Sequence, residues 1–317
     1  MKYVKRTLGI ILSIIIIIIL FKVIDINDII LSLKKLALPA IIGSGLFYTL
    51  SYIFRAVRFK ILLQKKLSSK ILFTVVCLHN FFNNILPART GEISYVYLLK
   101  RRKIETSRGI SSLFIARILD VLFILVLLLS AVPFLYKRLS MPATVLIIFI
   151  LVLLILTPFL LLEFKTGFIK IVKKILLALK LKKKTSEKLI GKTEEMIESL
   201  RVIKSKKIFI KTFISTILII GSQYGFYYLI LHGLGIELSA FSMVLALGVV
   251  MLAGILPVQG IAGIGTYEGA WALSLIFLGI AKETAIVAGF VIHIMQVLFL
   301  VLLGLFGFLI SLKQKFK

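Results

Sequence analysis

The chain has 317 residues, 60% of them hydrophobic, with a mean hydropathy of +1.09. A soluble domain has no use for that much apolar surface, and several runs approach or exceed the roughly 20 residues that cross a bilayer, so the sequence reads as an all-α, polytopic membrane protein. A net charge of +27 would suit nucleic acid, but the basic residues cluster between apolar runs, where they face anionic lipid, and no nucleic-acid partner is expected.

The basic clusters set the expected topology. Lys2, Lys5 and Arg6 place the N-terminus on the cytoplasmic side. The apolar run 8–21 is followed by KVIDIND rather than a small-x-small cleavage pattern, which predicts an uncleaved anchor as span one, 7–23. The connector IDINDIILSLKK sets Asp25 and Asp28 against Lys34 and Lys35 and is compatible with the outer side. Span two, 38–57, ends inside at Arg55, Arg58 and Lys60, followed by Lys65, Lys66 and Lys70.

Residues 71–99 are bounded on both sides by basic clusters, the second being Lys100, Arg101, Arg102 and Lys103. The chain must therefore enter and return. Only residues 92–99 follow Gly91 before charge resumes, and at roughly 1.5 Å per residue they fall far short of a ~30 Å core. A re-entrant hairpin with its tip in ILPARTGE (85–92) is expected.

Span three (110–135) then goes out and span four (143–163) returns, with Lys137 and Arg138 between them as an exception to the positive-inside rule. Residues 165–211 hold fifteen Lys or Arg against four Glu, which marks the cytoplasmic face. Within the basic loop 164–208, Phe168, Ile171, Val172, Ile175 and Leu179 recur at helical spacing among lysines. Such a helix either lies on an anionic membrane surface or is a solvated connector. Span five (210–231) leads outside, residues 239–281 form two apolar arms around the Gly-rich turn 260–265, and the last span (284–311) ends inside, so both termini are cytoplasmic. The two arms fit either a deep hairpin or two full spans.

This order makes one integral membrane domain, 1–317, of about six transmembrane helices plus two hairpins. Its halves, 1–135 and 136–317, have opposite orientations, an inverted-topology repeat whose interrupted segments point to a binding site. The second tip, ILPVQGIAGIGTYEG (255–269), repeats the ILP and the later Thr-x-Glu of the first.

No CxxC, HExxH, GxxxxGK[ST] or GxSxG pattern occurs, and the single Cys77 reads as buried filler, so no cofactor or metal is expected. Candidate chemistry concentrates at the tips. Pro87 and Pro257 end the entering helices; Gly91, Gly260, Gly263 and Gly265 permit reversal. Thr90 and Thr266 suit the N-cap of each returning arm, with Glu92 and Glu268 in its first turn. Each Glu either stabilises a helix start or serves the site. A helix N-terminus at membrane depth favours an anion such as phosphate, and Arg89 beside it can hold one by two hydrogen bonds.

Arg117 and Asp120 share one face of span three, and mutual neutralisation is the simplest reading; a polar pathway is the other. Arg55 and Arg58 either anchor topology or receive a lipid phosphate. Asn80, Asn83 and Asn84 give the first arm a polar face, and Gln223, Tyr224, His293 and Gln296 do so in the second half, each singly suited to helix–helix hydrogen bonding. No partner for His293 in a proton relay is identifiable in the sequence. Trp271 reads as packing.

NNILPARTGE with the basic cluster after it, the Arg-x-x-Asp span, and LPVQGIAGIGTYEGAWAL together resemble the flippase-like membrane domain of lysylphosphatidylglycerol synthases, the multiple peptide resistance factors, in its free-standing form. The resemblance covers essentially the whole chain. It implies lipid handling; with six residues following Ser311, lysyl transfer is not expected. Archaeal relatives associated with lipid-linked sugars leave polyprenyl-phosphate carriers open as substrates. The expected function is a lipid flippase moving an anionic phospholipid or polyprenyl-phosphate-linked lipid across the plasma membrane, a transporter rather than an enzyme. The alternatives are a scaffold for a separate synthase or glycosyltransferase and an intramembrane transferase with Glu92 or Glu268 as base. Expected partners are an anionic lipid headgroup, such a lipid-modifying enzyme, and a second copy of the chain. The candidate substrate-binding set is Arg55, Arg58, Asn84, Arg89, Thr90, Gly91, Glu92, Arg117, Asp120, Gln259, Gly263, Gly265, Thr266 and Glu268.

Overall fold

A computed structural model describes residues 18–64, 67–86, 91–135, 140–178, 183–199, 205–255 and 261–313. Among them every regular element is helical: α1 (Ile26–Lys35), α2 (Leu38–Leu63), α3 (Ser69–Ile85), α4 (Glu92–Lys100), α5 (Thr106–Leu135), α6 (Met141–Glu163), α7 (Lys165–Ala178), α8 (Lys183–Ser199), α9 (Lys206–Gly233), α10 (Ala240–Ile255), α11 (Thr266–Phe277) and α12 (Lys282–Lys313), with a 3-10 turn at Ile261–Gly263 before α11. Helices satisfy their own backbone polar groups, as a bilayer demands. Four are long and apolar enough to cross a membrane: Leu38–Leu63, Thr106–Val132, Lys206–Gly233 and Lys282–Lys313; Met141–Thr157 and Ala240–Gly254 are shorter apolar segments. The chain is a multi-pass membrane protein. Most of the expected first span and the tip residues Pro87, Arg89, Thr90, Pro257, Gln259 and Gly260 lie outside the described residues, as do Lys137 and Arg138.

The charged connector after the first apolar run is itself a helix, α1. Asp25 caps it by accepting from the Asn27 N–H at 3.2 Å, and the Asp28 carboxylate accepts from the Asp25 N–H at 3.0 Å. Lys34 and Lys35 sit in its last turn, where the helix dipole favours cations.

The long helices pair across the chain. α2 lies along α9; α3 packs on α12, and α10 packs on α5. Gly304 and Gly307 on α12 meet Phe81 and Cys77 of α3 where a side chain would not fit. The short arms α4 and α11 return against α5 and α12 respectively, and α3 also touches the 3-10 turn of the second half. One apolar cluster gathers around α9, α11 and α12, with Trp271 fully buried; a second gathers around α2, α3, α4 and α5. Leu298, Leu302, Leu305 and Leu309 line an exposed face of α12, and α6 exposes Leu146, Phe149, Ile150 and Leu153. In a membrane protein such faces meet acyl chains. On α7, Ile171 and Ile175 of the expected apolar stripe are exposed.

Candidate functional site

Between these helices lies a polar cavity of about 240 Å³. Each wall is a stripe at helical spacing. α2 contributes Tyr48, Ser51, Tyr52 and Arg55; α3 contributes Asn80, Asn83 and Asn84; α5 contributes Arg117 and Asp120 above Val121 and Ile124. The second half supplies Gln223 and Tyr227 from α9, Ala262, Gly263 and Tyr267 from the turn and start of α11, and Gln296 from α12. The cavity thus joins residues of both halves.

Its charges are paired in a pattern that local spacing does not show. Asp120 does not pair with Arg117. Its carboxylate accepts two hydrogen bonds from Arg58, 2.5 and 3.0 Å, and Arg58 Nη1 also donates to Thr216 Oγ1 at 3.2 Å. Arg58 is 1% exposed, so this fork ties α2, α5 and α9 together behind the cavity wall. Arg117 instead bonds Glu92 in the first turn of α4 through Nε at 3.2 Å. Arg55 lines the cavity, and among the described residues it makes no ion pair or hydrogen bond. Among the described residues, Arg58 is paired with Asp120 and Arg117 with Glu92, while Arg55 is in neither pair. Asn83 Oδ1 and Gln223 Oε1, both on lining residues, are acceptors without a partner among the described residues.

The first tip is closed by direct backbone contact. Gly91, the residue before α4, lies so close to the end of α3 that a methyl there would stand 2.3 Å from the Phe82 carbonyl oxygen and 2.4 Å from Asn83 Cα. Backbone cannot yield as a side-chain end can. Gly91→Ala is therefore expected to lose about 1–3 kcal/mol of stability by overpacking. Thermal unfolding in detergent reads this, and an unchanged midpoint would contradict the packing.

The second tip is organised differently from the expected Thr cap. The N-cap of α11 is Gly265, whose N–H donates to Glu268 Oε2 at 2.7 Å; Thr266 is already helical and its Oγ1 has no partner among the described residues. Glu268 Oε1 lies 2.8 Å from His293 Nδ1, and His293 Nε2 lies 3.0 Å from the Ala262 carbonyl oxygen. Glu268 and His293 are both buried and stand one layer behind the cavity rather than in its wall.

Of the expected site residues, Arg55, Asn84, Arg117, Asp120 and Gly263 meet at the cavity. Arg58 and Glu92 hold its charged residues in place, Gly91 closes the first hairpin, and Gly265, Thr266 and Glu268 build the second turn. Arg89, Thr90 and Gln259 lie outside the described residues. The tyrosines were not foreseen: Tyr227 donates to Gln296 Oε1 at 2.8 Å and its hydroxyl also bonds that of Tyr267, while Tyr48 and Tyr52 hydroxyls lie 3.3 Å apart. The signal was present in span two, where Tyr48, Ser51, Tyr52 and Arg55 follow i, i+3, i+4, i+7.

The residues that line the cavity run from Tyr48 to Gln296, and a match to a known family, the Lysylphosphatidylglycerol synthase TM region, covers residues 6–304. The chain belongs to this family. No curated protein matches the sequence significantly. Membership in the lysylphosphatidylglycerol synthase transmembrane family gives the cavity, whose walls mix polar side chains with apolar ones such as Ile124, Phe226 and Val250, a setting in membrane-lipid biochemistry.

Proposed function

We propose that this protein is a lipid translocator of the plasma membrane, with both termini cytoplasmic, and that the cavity carries an anionic headgroup while its hydrocarbon chains stay in the bilayer. The observation that carries this reading is Arg55: a guanidinium facing a polar cavity that makes no hydrogen bond or ion pair among the described residues, with the Asp120 carboxylate acting on it only through space. A guanidinium without a hydrogen-bonded counter-ion inside a membrane protein is costly and is kept where a ligand neutralises it. A phosphate can take the guanidinium by two hydrogen bonds, and the unpartnered amide oxygens of Asn83 and Gln223 suit hydroxyl or amino groups on the same headgroup.

The helix pairing supports alternating access by two inverted halves. Exchanging α2 with α9, α3 with α10, α4 with α11 and α5 with α12 turns each main contact into another that exists: α3–α12 becomes α10–α5, and α4–α5 becomes α11–α12. On this reading α3–α4 and α10–α11 are the two membrane-dipping hairpins, and rocking one half against the other opens the cavity to each side in turn. A transferase draws less support, because Glu268 faces His293 and Glu92 faces Arg117 rather than an open reaction site.

A cysteine block tests the route. Cys77 is the chain's single cysteine and is buried, so an introduced cysteine is the reactive thiol. In Asn84→Cys, on the cavity wall, a bulky thiol reagent is expected to bring headgroup movement in proteoliposomes down to the protein-free rate. In Lys282→Cys, exposed and away from the cavity, the same reagent leaves movement intact. Equal behaviour of the two labelled proteins would sink the route.

A further inference from the structure

The turn that carries Ala262 and Gly263 of the cavity wall is held by two bonds that both run through one buried pair. Ala262, Gly263 and Gly265 all have positive φ, +56°, +77° and +83°, a conformation that costs energy at the alanine and must be held by its surroundings. Glu268 holds the Gly265 N–H and His293 holds the Ala262 carbonyl. The Glu268–His293 contact then joins these two anchors.

The acceptors fix how many protons the pair carries. A carbonyl oxygen only accepts, so His293 Nε2 must be protonated toward Ala262. A second proton is then required between Nδ1 and Glu268 Oε1, which stand 2.8 Å apart. Without it an imidazole lone pair faces a carboxylate lone pair, and a net negative charge is left buried. Whether that proton sits on nitrogen or oxygen, the pair is neutral overall.

Little else around the pair supplies charge. α11 presents Tyr267, whose ring centroid lies 5.0 Å from that of His293, and Trp271. α9 presents Tyr227, bonded to Gln296 of α12; α2 presents Tyr48 near Phe299. α3 presents Cys77 and Phe81 against Gly307 and Gly304, and α1 buries Ile29 while its charged residues are exposed. Among the described residues the ion-pairing partner of Glu268 is His293.

We propose that Glu268 and His293 form a proton-binding site that couples proton movement to the second hairpin's turn and so drives headgroup movement. The inference rests on the translocator reading and adds its energy source. With the proton bound, both anchors hold and the turn is pinned to α12. On release the proton passes to water in the cavity, which Ala262, Gly263 and Tyr267 separate from the pair by one layer. The Nδ1–Oε1 bond is lost, Glu268 and His293 part, and the wall formed by Ala262 and Gly263 is free to shift. Each cycle of access would then carry a proton with the lipid.

Trp271, the chain's single tryptophan, lies one turn after Glu268 and packs 5.0 Å from the Tyr227 ring, so its emission reports the pair. Glu268→Gln is the informative variant. A glutamine accepts from the Gly265 N–H and donates to Nδ1, which keeps both anchors and removes the carboxylate that shares the proton with His293. In wild-type nanodiscs, Trp271 emission is expected to change across a pH titration as the pair exchanges its proton; in Glu268→Gln that transition is lost. In proteoliposomes under an imposed gradient of about two pH units, coupling of one proton per lipid predicts a leaflet ratio of the fluorescent anionic lipid approaching about 100-fold. That ratio is lost in Glu268→Gln. Lipid movement that ignores the gradient overturns the coupling and leaves translocation standing. Absence of any movement overturns translocation, and a flat wild-type Trp271 titration overturns the proton site by itself.

Discussion

Replacing Arg55 by alanine is expected to slow headgroup movement about 10- to 100-fold while leaving thermal unfolding close to wild type. The factor corresponds to a charge-assisted hydrogen bond of about 1.5–3 kcal/mol to the passing phosphate. Stability is spared because, among the described residues, Arg55 makes no ion pair or hydrogen bond to lose. Arg55→Lys should fall between the two, since a lysine keeps the charge and gives up the planar fork. Initial rates in proteoliposomes at matched protein density measure all three. An alanine variant moving lipid at the wild-type rate would remove Arg55 from the pathway.

Arg58→Ala is expected to act on the fold instead. Arg58 is almost fully buried and its fork satisfies both oxygens of Asp120, itself 13% exposed on the side chain. Removing either partner strands the other charge at a cost of about 3–5 kcal/mol, whereas replacing both by apolar residues of similar volume is often close to neutral. Arg58→Ala and Asp120→Ala should each lower the unfolding midpoint sharply, and Arg58→Met combined with Asp120→Leu should recover most of the loss. A double variant as unstable as the sum of the single ones would show that the two side chains act independently. The contrast with Arg55, three residues away on the same helix, separates a transport role from a structural one.

The helical class and the polar faces of α3 and α5 were readable because periodicity is local. Asn80, Asn83 and Asn84 declare their face by spacing alone, and the Gly-rich segment 260–265 ends as a left-handed turn. Pairing was not readable, because it depends on which helices meet. Arg117 and Asp120 sit at i, i+3 and suggest each other, yet each turns to a partner from another helix, 25 and 62 residues away in sequence. His293 looked partnerless for the same reason: Glu268 is 25 residues back and arrives only because α11 folds against α12. At the second tip, Glu268 takes the helix-start role read from the sequence, bonding the N-cap N–H with one oxygen, while its other oxygen meets His293, a contact the sequence did not suggest.

The most direct measurement is headgroup movement by the purified protein alone, reconstituted in vesicles with a fluorescent anionic phospholipid or a polyprenyl-phosphate probe, and a zwitterionic lipid for comparison. A cavity lined by Arg55, which makes no ion pair or hydrogen bond among the described residues, predicts movement of at least one anionic probe well above protein-free vesicles, ahead of the zwitterionic lipid. No movement of either anionic probe above the protein-free rate would contradict the account.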